Sequence, residues 1–344
     1  DVGNIIGVLA SGPQGPVKIF SRAVVLATGS FTRNNDLKLR YFGPNGDRTS
    51  YYGSDHHDGD GIIAALEVGA ALSTGVSIGQ GTCVFPPPYQ PPAGLYRYAG
   101  TGTSKWDRDT YDFMEKLNGR WTDWRVTSEP VPAGVQRYSL RPPCFGDLPV
   151  ILVNIDGKRY VDESWAYTTI GWKTTQQTLG TGFCIFDQSV YEGESSILEQ
   201  AIEWGAVVYK AQSLSDLAQQ LRGWRNTPSY RDGVNGNNLI ETVREFNKAV
   251  EEGKCDDLEP PRKGNQAKVE LPPFYAAPVV QGVVDAVGGV KIDGEARGLD
   301  RGGNPIPGLF AAGADAGRAY TVEHGGLSFG LIFGRVAGAG AARL

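Results

Sequence analysis

The chain has 344 residues, 40% of them hydrophobic and 21% charged, with a net charge of −5. This composition supplies a sizeable core and excludes global disorder, and at roughly 100–200 residues per domain the length predicts two domains. No long basic run favours nucleic acid, and no apolar stretch approaches the ~18 residues of a membrane helix.

From the N-terminus, Asn4–Leu9 is apolar, a turn is expected at Gly12–Gly15, and Val17–Phe20 reads as a second strand. Arg22–Thr28 has a buried-strand pattern that Gly29 ends. Gly59–Leu72 predicts a helix with Asp60 at its start. Residues 80–150 form an irregular insert, punctuated by Pro86–Pro88 and Pro91–Pro92 and loaded with Trp106, Tyr111, Phe113, Trp121 and Trp124. Ile151–Asn154 and Arg159–Val161 read as a hairpin about Asp156–Gly157, and Phe183–Phe186 as a further strand. Helices are expected at about Ser195–Glu203, at Ser213–Leu221 with a Ser213 cap, and at Asn238–Glu251. In the last, Leu239, Val243, Phe246 and Val250 share one face, and Gly253 stops the helix. Gly288–Ile292 and Leu309–Ala312 read as strands, the second broken by Gly313. Gly325–Gly326 then opens an apolar helix, Leu327 to Ala342. Glycines before a helix leave its N–H groups bare, a place that suits a phosphate or a flavin carbonyl.

The four cysteines are Cys83, Cys144, Cys184 and Cys255, with no CxxC among them. A zinc ribbon or dithiol centre is therefore not signalled. The wide spacing fits free thiols in a reducing compartment, though an even count leaves disulfides open. The histidines are His56, His57 and His324. His56 and His57, with Asp58 and Asp60, fit a loop before a helix better than a metal site. No metal is expected. GxGxxG, the P-loop and HExxH do not occur. The chain opens on Asp1 and holds one methionine, Met114, so an upstream segment is expected.

Six segments in order resemble the flavoprotein family of fumarate reductase and succinate dehydrogenase, with its relative 3-ketosteroid Δ1-dehydrogenase. They are AVVLATGSFTRN (Ala23–Asn34), GDGIIAALEVGAAL (Gly59–Leu72), DGKRYVDES (Asp156–Ser164), FCIFDQSV (Phe183–Val190) and LIETVREFNKAVEEGKCDDLEPP (Leu239–Pro261). The sixth runs from FYAAPV through VGGVKID and IPGLFAAGADAG to GGLSFGLIFGRVAG. The resemblance implies an α/β fold with FAD as cofactor. It implies a discontinuous Rossmann-like FAD-binding domain at 1–78 and 279–344 and an α+β cap, or substrate domain, at 79–278. The family's N-terminal βαβ unit, whose glycines receive the FAD pyrophosphate, would lie upstream or on a companion chain. A cytoplasmic setting is expected, or an exported one if that upstream piece carries a signal.

By the same resemblance, Thr28 and Gly29 approach the dinucleotide, and Asp60 and Gly61 sit near the isoalloxazine. Gly313, Gly326, Leu327 and Ser328 bring the terminal helix dipole to the flavin's pyrimidine edge. Ala314 stands where the family has a ribose-binding Glu, and Asp315 comes directly after it. The fumarate branch places arginines where this chain has Tyr167 and Glu323, and a histidine where it has Asp285. The ketosteroid branch has NESxPY, matched here by DESWAY ending in Tyr167, and a tyrosine near its last GG, matched by Tyr320 with a one-residue displacement.

Two phenols suit oxidation of a C–C bond beside a ketone. One polarises the ketone oxygen and the other accepts a proton from carbon. Tyr167 and Tyr320 are the candidates, with Glu323, His324 and Asp285 as further proton-transfer groups. The substrate expected is a small, rather apolar ring molecule. A carboxylate reductase would need Arg141, Arg159 or Arg318 in place of the missing arginines. The third reading is a non-catalytic subunit or fragment that binds no flavin. Arg159 and Glu163, four apart, read as a structural ion pair.

Overall fold

The computed structural model describes residues 3–51, 57–73, 77–86, 142–144, 148–165, 167–203, 205–224, 233–317 and 325–344. The aromatic-rich part of the insert lies outside them. The strands are β1 (Gly7–Gly12), β2 (Gly15–Phe20), β3 (Val24–Leu26), β4 (Ser50–Tyr51), β5 (Ser77–Val84), β6 (Ile151–Val153), β7 (Thr181–Phe186), β8 (Tyr209–Ala211), β9 (Phe274–Val287), β10 (Arg297–Leu299) and β11 (Pro305–Ala311). The helices are α1 (Asn35–Phe42), α2 (Asp60–Glu67), α3 (Tyr167–Thr175), α4 (Gln188–Glu203), α5 (Leu214–Arg222), α6 (Gly236–Glu252) and α7 (Gly325–Ala341). The chain divides into two units: residues 1–47, 53–80 and 283–344, and residues 48–52 and 81–282.

In the first unit β1 and β2 form an antiparallel hairpin with Gly7 opposite Phe20. Strand β3 pairs in parallel with β11, Val24 to Leu309 and Leu26 to Ala311, and β10 closes the other edge of β11. Leu26, Ala65, Val290, Leu309 and Ala311 form the core around this pair. Phe31, Leu37, Ile62 and Ala286 form a second cluster beneath α1 and α2.

Two sequence expectations in this unit are corrected. The helix expected over Gly59–Leu72 ends at Glu67. Gly69 takes φ +89°, and Ala70 and Leu72 instead bridge Asp300 and Val290. The residues after the helix thus serve a sheet edge, which the run of alanines did not signal. The strand expected at Gly288–Ile292 is reduced to isolated bridges through Val290 and Ile292. The regular strand is β9, just before it.

The second unit holds the order β4-β9-β7-β6, with β5 and β8 also on β9. Strand β7 is buried along its whole length, so continuous apolar residues suit it. Helix α5 is capped by Ser213, whose side chain accepts from Asp216 N. Helix α6 starts ahead of its apolar face, because Asn235 accepts from Asn238 N, and it ends on Gly253 at φ +67°. Leu239, Val243 and Phe246 are buried as the spacing predicts, with Val250 packed against them.

The hairpin expected at Asp156–Gly157 survives as one bridge, Val153 to Arg159. Beyond it the chain enters an Asx turn, in which Asp162 Oδ1 accepts from Ser164 N (3.0 Å) and Oγ (2.7 Å). The Arg159–Glu163 pair forms as read, and it is larger than read. Glu163 Oε2 meets Arg159 Nη2 at 2.7 Å and Arg262 Nη1 at 3.0 Å, with every side chain buried. Arg159 Nε donates to Glu163 Oε1 at 3.1 Å, and Leu152 N donates to the same oxygen at 2.9 Å. The remaining guanidinium donors reach Pro260 O, Leu148 O and Asn265 O. One carboxylate thus ties β6, the DES turn and the segment after α6.

Removing one partner of a buried pair strands the other's charge. Glu163→Ala is expected to destabilise the protein by about 3–5 kcal/mol, read as a drop in the denaturant midpoint.

Candidate functional site

The parallel pairing of β3 and β11 sets their carboxyl ends side by side. Ala312 N continues the ladder to Leu26 O at 2.9 Å. Each chain then leaves its strand at a glycine with positive φ: Gly29 at +105° and Gly313 at +61°. Between these exits lies Asp315, with 0% exposure. Its Oδ1 accepts from Thr28 Oγ1 and its Oδ2 from Gly29 N, both at 3.0 Å. Thr28 Oγ1 in turn accepts from Gly61 N at 3.1 Å, in the first turn of α2. A Cβ at Gly61 would collide with Thr28 Oγ1 and come within 2.8 Å of Asp315 Oδ1. The backbone of Asp315 is held as well, since Val290 N donates to its carbonyl at 2.7 Å.

Five of the cofactor-contact candidates therefore meet in one place: Thr28, Gly29, Gly61, Gly313 and Asp315. Asp60 is exposed at the start of the same helix, α2. Gly326, Leu327 and Ser328 lie in the first turn of α7. A Cβ on Gly330, one turn on, would stand 3.7 Å from Gly313 Cα, so α7 begins close to the Gly313 turn. A helix of 17 residues thus brings its positive end to this corner.

Among the described residues, Asp315 carries no partner cation in this cluster. Burial pushes its carboxyl up from the ordinary 3.8, and the bonds from Gly29 N–H and Thr28 oppose the rise. Sequence reasoning placed Asp315 beside the expected ribose contact. The structure turns its carboxylate inward onto the Thr28–Gly29 loop. The pairing spans 286 residues of chain, so no local pattern could have signalled it.

His57 is the other residue that the sequence underrated. It was read as a loop position, yet a Cβ on Gly29 would lie 2.8 Å from its Cδ2, so the ring edge abuts that glycine. Asp285 lies near the end of β9, half-buried, and its Oδ1 accepts from Ala286 N at 2.9 Å. Tyr167 is the first residue of α3 in the second unit. Tyr320, Glu323, His324, Arg318, Arg141 and His56 lie outside the described residues.

This corner fits a dinucleotide cofactor on its own geometry. The chain leaves its strands at Gly29 and Gly313 with positive φ, the space a Cβ would take at Gly313 is open, the anionic side chain is withdrawn, and a long helix presents its N-terminus. Comparison with known proteins agrees. A model of the FAD binding domain family matches residues 1–328. The chain is similar to a fumarate reductase (cytochrome) of Shewanella frigidimarina, 34% identical over 199 residues, covering 56% of this chain and 32% of the relative. It is 31% identical over 202 residues to a 4-oxocyclohexanecarboxylate 2-dehydrogenase of Sinomonas cyclohexanicum, covering 51% and 33%. The structure of 3-ketosteroid Δ1-dehydrogenase from Sterolibacterium denitrificans superposes with a TM-score of 0.67 at 21% identity, over 99% of this chain and 57% of that one. The chain thus spans well under two thirds of these proteins.

Two outcomes are expected. Gly61→Ala overpacks the corner, a cost of about 1–3 kcal/mol, and should weaken FAD binding roughly tenfold or more by fluorescence titration. The raised Asp315 carboxyl gives stability that is whole below about pH 4 and is lost as pH rises through its folded value. Asp315→Asn stays neutral, so its melting temperature should gain on the wild type as pH climbs above about 4, apart from a constant offset for the lost acceptor.

Proposed function

The chain belongs to the FAD binding domain family, and on that premise we propose that it moves a hydride between FAD and a carbonyl-activated C–C bond of an apolar ring substrate. A 3-ketosteroid or a cyclohexanone-type ring is the class meant. Residues 1–78 and 279–344 are the cofactor part and 79–278 the cap that shapes the substrate site. GxGxxG, the glycine-rich unit that receives an FAD pyrophosphate, does not occur in these 344 residues. Among the described residues no helix is long and apolar enough to cross a membrane.

Bound FAD supplies the hydride acceptor or donor. The Thr28–Gly29–Gly61 corner would hold one side of its site, and the first turn of α7 would present a positive dipole end that favours negative charge on it. Tyr167 and Tyr320 share the proton work. One phenol donates a hydrogen bond to the substrate ketone oxygen, and the other takes a proton from the carbon beside it. Glu323, His324 and Asp285 are the groups that pass this proton on.

The observation that carries the reading is the residue four positions after Glu163. That position holds a phenol, Tyr167, and the matching C-terminal position holds Glu323, so neither guanidinium of a dicarboxylate clamp is present. The buried network around Glu163 supports it by fixing the turn that leads into α3.

A second reading, a fumarate- or urocanate-type reductase, is favoured by the 34% identity to a fumarate reductase. Of its three substitute arginines, Arg159 is removed: it is buried and bonded to Glu163, Val161 O and Pro260 O. Arg141 and Arg318 remain for it.

Tyr167→Phe is expected to lower turnover of a cyclic ketone or enone by about 10²–10⁴-fold, with bound flavin unchanged. The assay follows flavin absorbance under substrate. Unchanged turnover in that variant, with fumarate reduction abolished by Arg318→Ala, would establish the second reading instead.

A further inference from the structure

The corner where β3 and β11 meet α2 spends its donors on itself. Thr28 Oγ1 donates to Asp315 Oδ1, and Gly29 N donates to Asp315 Oδ2, both at 3.0 Å. Gly61 N donates to Thr28 Oγ1 at 3.1 Å. Ser30, the next residue along, is buried. Asp315 and Asp60 only accept when ionised. FAD is an anion rich in acceptor oxygens. Apart from the N–H groups at the start of α7, a donor for it at this corner has to come from a side chain outside this set.

Among the described residues, His57 is placed to supply that donor. A Cβ at Gly29 would lie 2.8 Å from His57 Cδ2 and 3.1 Å from Nε2, so this edge of the ring lies against the exit of β3. Gly29 is thus held on two sides, by Asp315 through its N–H and by the imidazole where a side chain would stand. His57 is half-buried, so it is not sealed into the core. Its loop is fixed by the start of α1. His57 O accepts from Arg33 N at 3.0 Å. Asp58 O accepts from Asn34 Nδ2 at 3.1 Å, and Asn34 Oδ1 caps α1 by accepting from Leu37 N. Gly59, at φ +83°, then turns the chain into α2, and a Cβ there would come within 2.7 Å of Phe31 Cβ. A ring carried on a loop held in this way loses little freedom when it binds.

We propose that His57 is a cofactor-contact residue, whose Nε2–H donates a hydrogen bond to an oxygen of FAD bound at the Gly29 exit. Nε2 carries a proton in one neutral tautomer and in the imidazolium, and both forms donate. The inference rests on the reading that the Thr28–Gly29–Gly61 corner holds FAD, and it is independent of the substrate.

The test is titration of FAD-free full chain with FAD, followed by flavin fluorescence. His57→Leu keeps much of the volume and removes the donor, and it should weaken binding about tenfold. His57→Gln keeps an N–H donor and should stay within about threefold of wild type. Equal losses in the two variants would mark a packing role and overturn the proposal. Side-chain 1H–15N spectra give a second readout. The chain has three histidines, and the signal missing in His57→Gln assigns His57. That Nε2 signal should shift on addition of FAD, and FMN and ADP added separately tell which half of the cofactor carries the oxygen. A signal that FAD leaves unmoved would overturn the proposal, and the wild-type spectra decide this by themselves if His57→Leu fails to fold. Gly61→Ala in the same titration separates the two possible failures. Weakening by Gly61→Ala alone would keep the corner as the FAD site and overturn the part given to His57. No weakening by either variant, or no FAD binding by the wild type, would overturn both.

Discussion

The Asp315 carboxylate is the constraint on which the cofactor corner depends. Parallel pairing of β3 and β11 brings two chain exits together, but pairing alone does not shape the loops beyond the strands. Both Asp315 oxygens are used, one on the Thr28 hydroxyl and one on the Gly29 N–H. Thr28 passes the constraint on to Gly61 at the head of α2. Three segments far apart in sequence are thereby held with their backbones facing one point. The glycine at 61 is a consequence of this closeness, because a side chain there would occupy the space that the bonds need. Those at 29 and 313 let the chain turn off its strand with positive φ.

The second unit rests on a buried carboxylate too, with opposite electrostatics. Glu163 faces two guanidiniums and a backbone N–H. Asp315 meets neutral donors among the described residues, so burial works against its charge. The Glu163 network is a permanent anchor for the turn before α3. The Asp315 cluster has a balance that shifts with pH. Both are placed where a loop must be rigid next to residues proposed to meet cofactor or substrate, which is the supporting role that a site's surroundings must fill.

Much of the local structure was legible in the residues. Ser213 caps α5 as expected, and the Leu239–Val243–Phe246 face is the buried one. Gly253 and Gly313 stop their elements with positive φ. Arg159 and Glu163 pair at the helical spacing that suggested it, although the chain there is a turn. What escaped was partnership over long range. Arg262 joins Glu163 from 99 residues away, and nothing in PPRK marks it as buried. The Gly59–Leu72 run stops early because Ala70 and Leu72 are recruited by residues near 300 and 290. The cysteines carried no motif, yet three of them share one core.

The amino-acid order by itself determined the Ser213 cap of α5, the buried face of α6, the glycines that end α6 and β11, and the family pattern they match. Those features depend on periodicity, capping and φ, all properties of neighbours in the chain. Tertiary structure alone decided that Asp315 turns inward, that Glu163 serves two arginines, and that Cys83, Cys144 and Cys184 share one core. Each of these is a contact between side chains distant in sequence. Its existence depends on which buried charge or proton finds a partner once the core has closed.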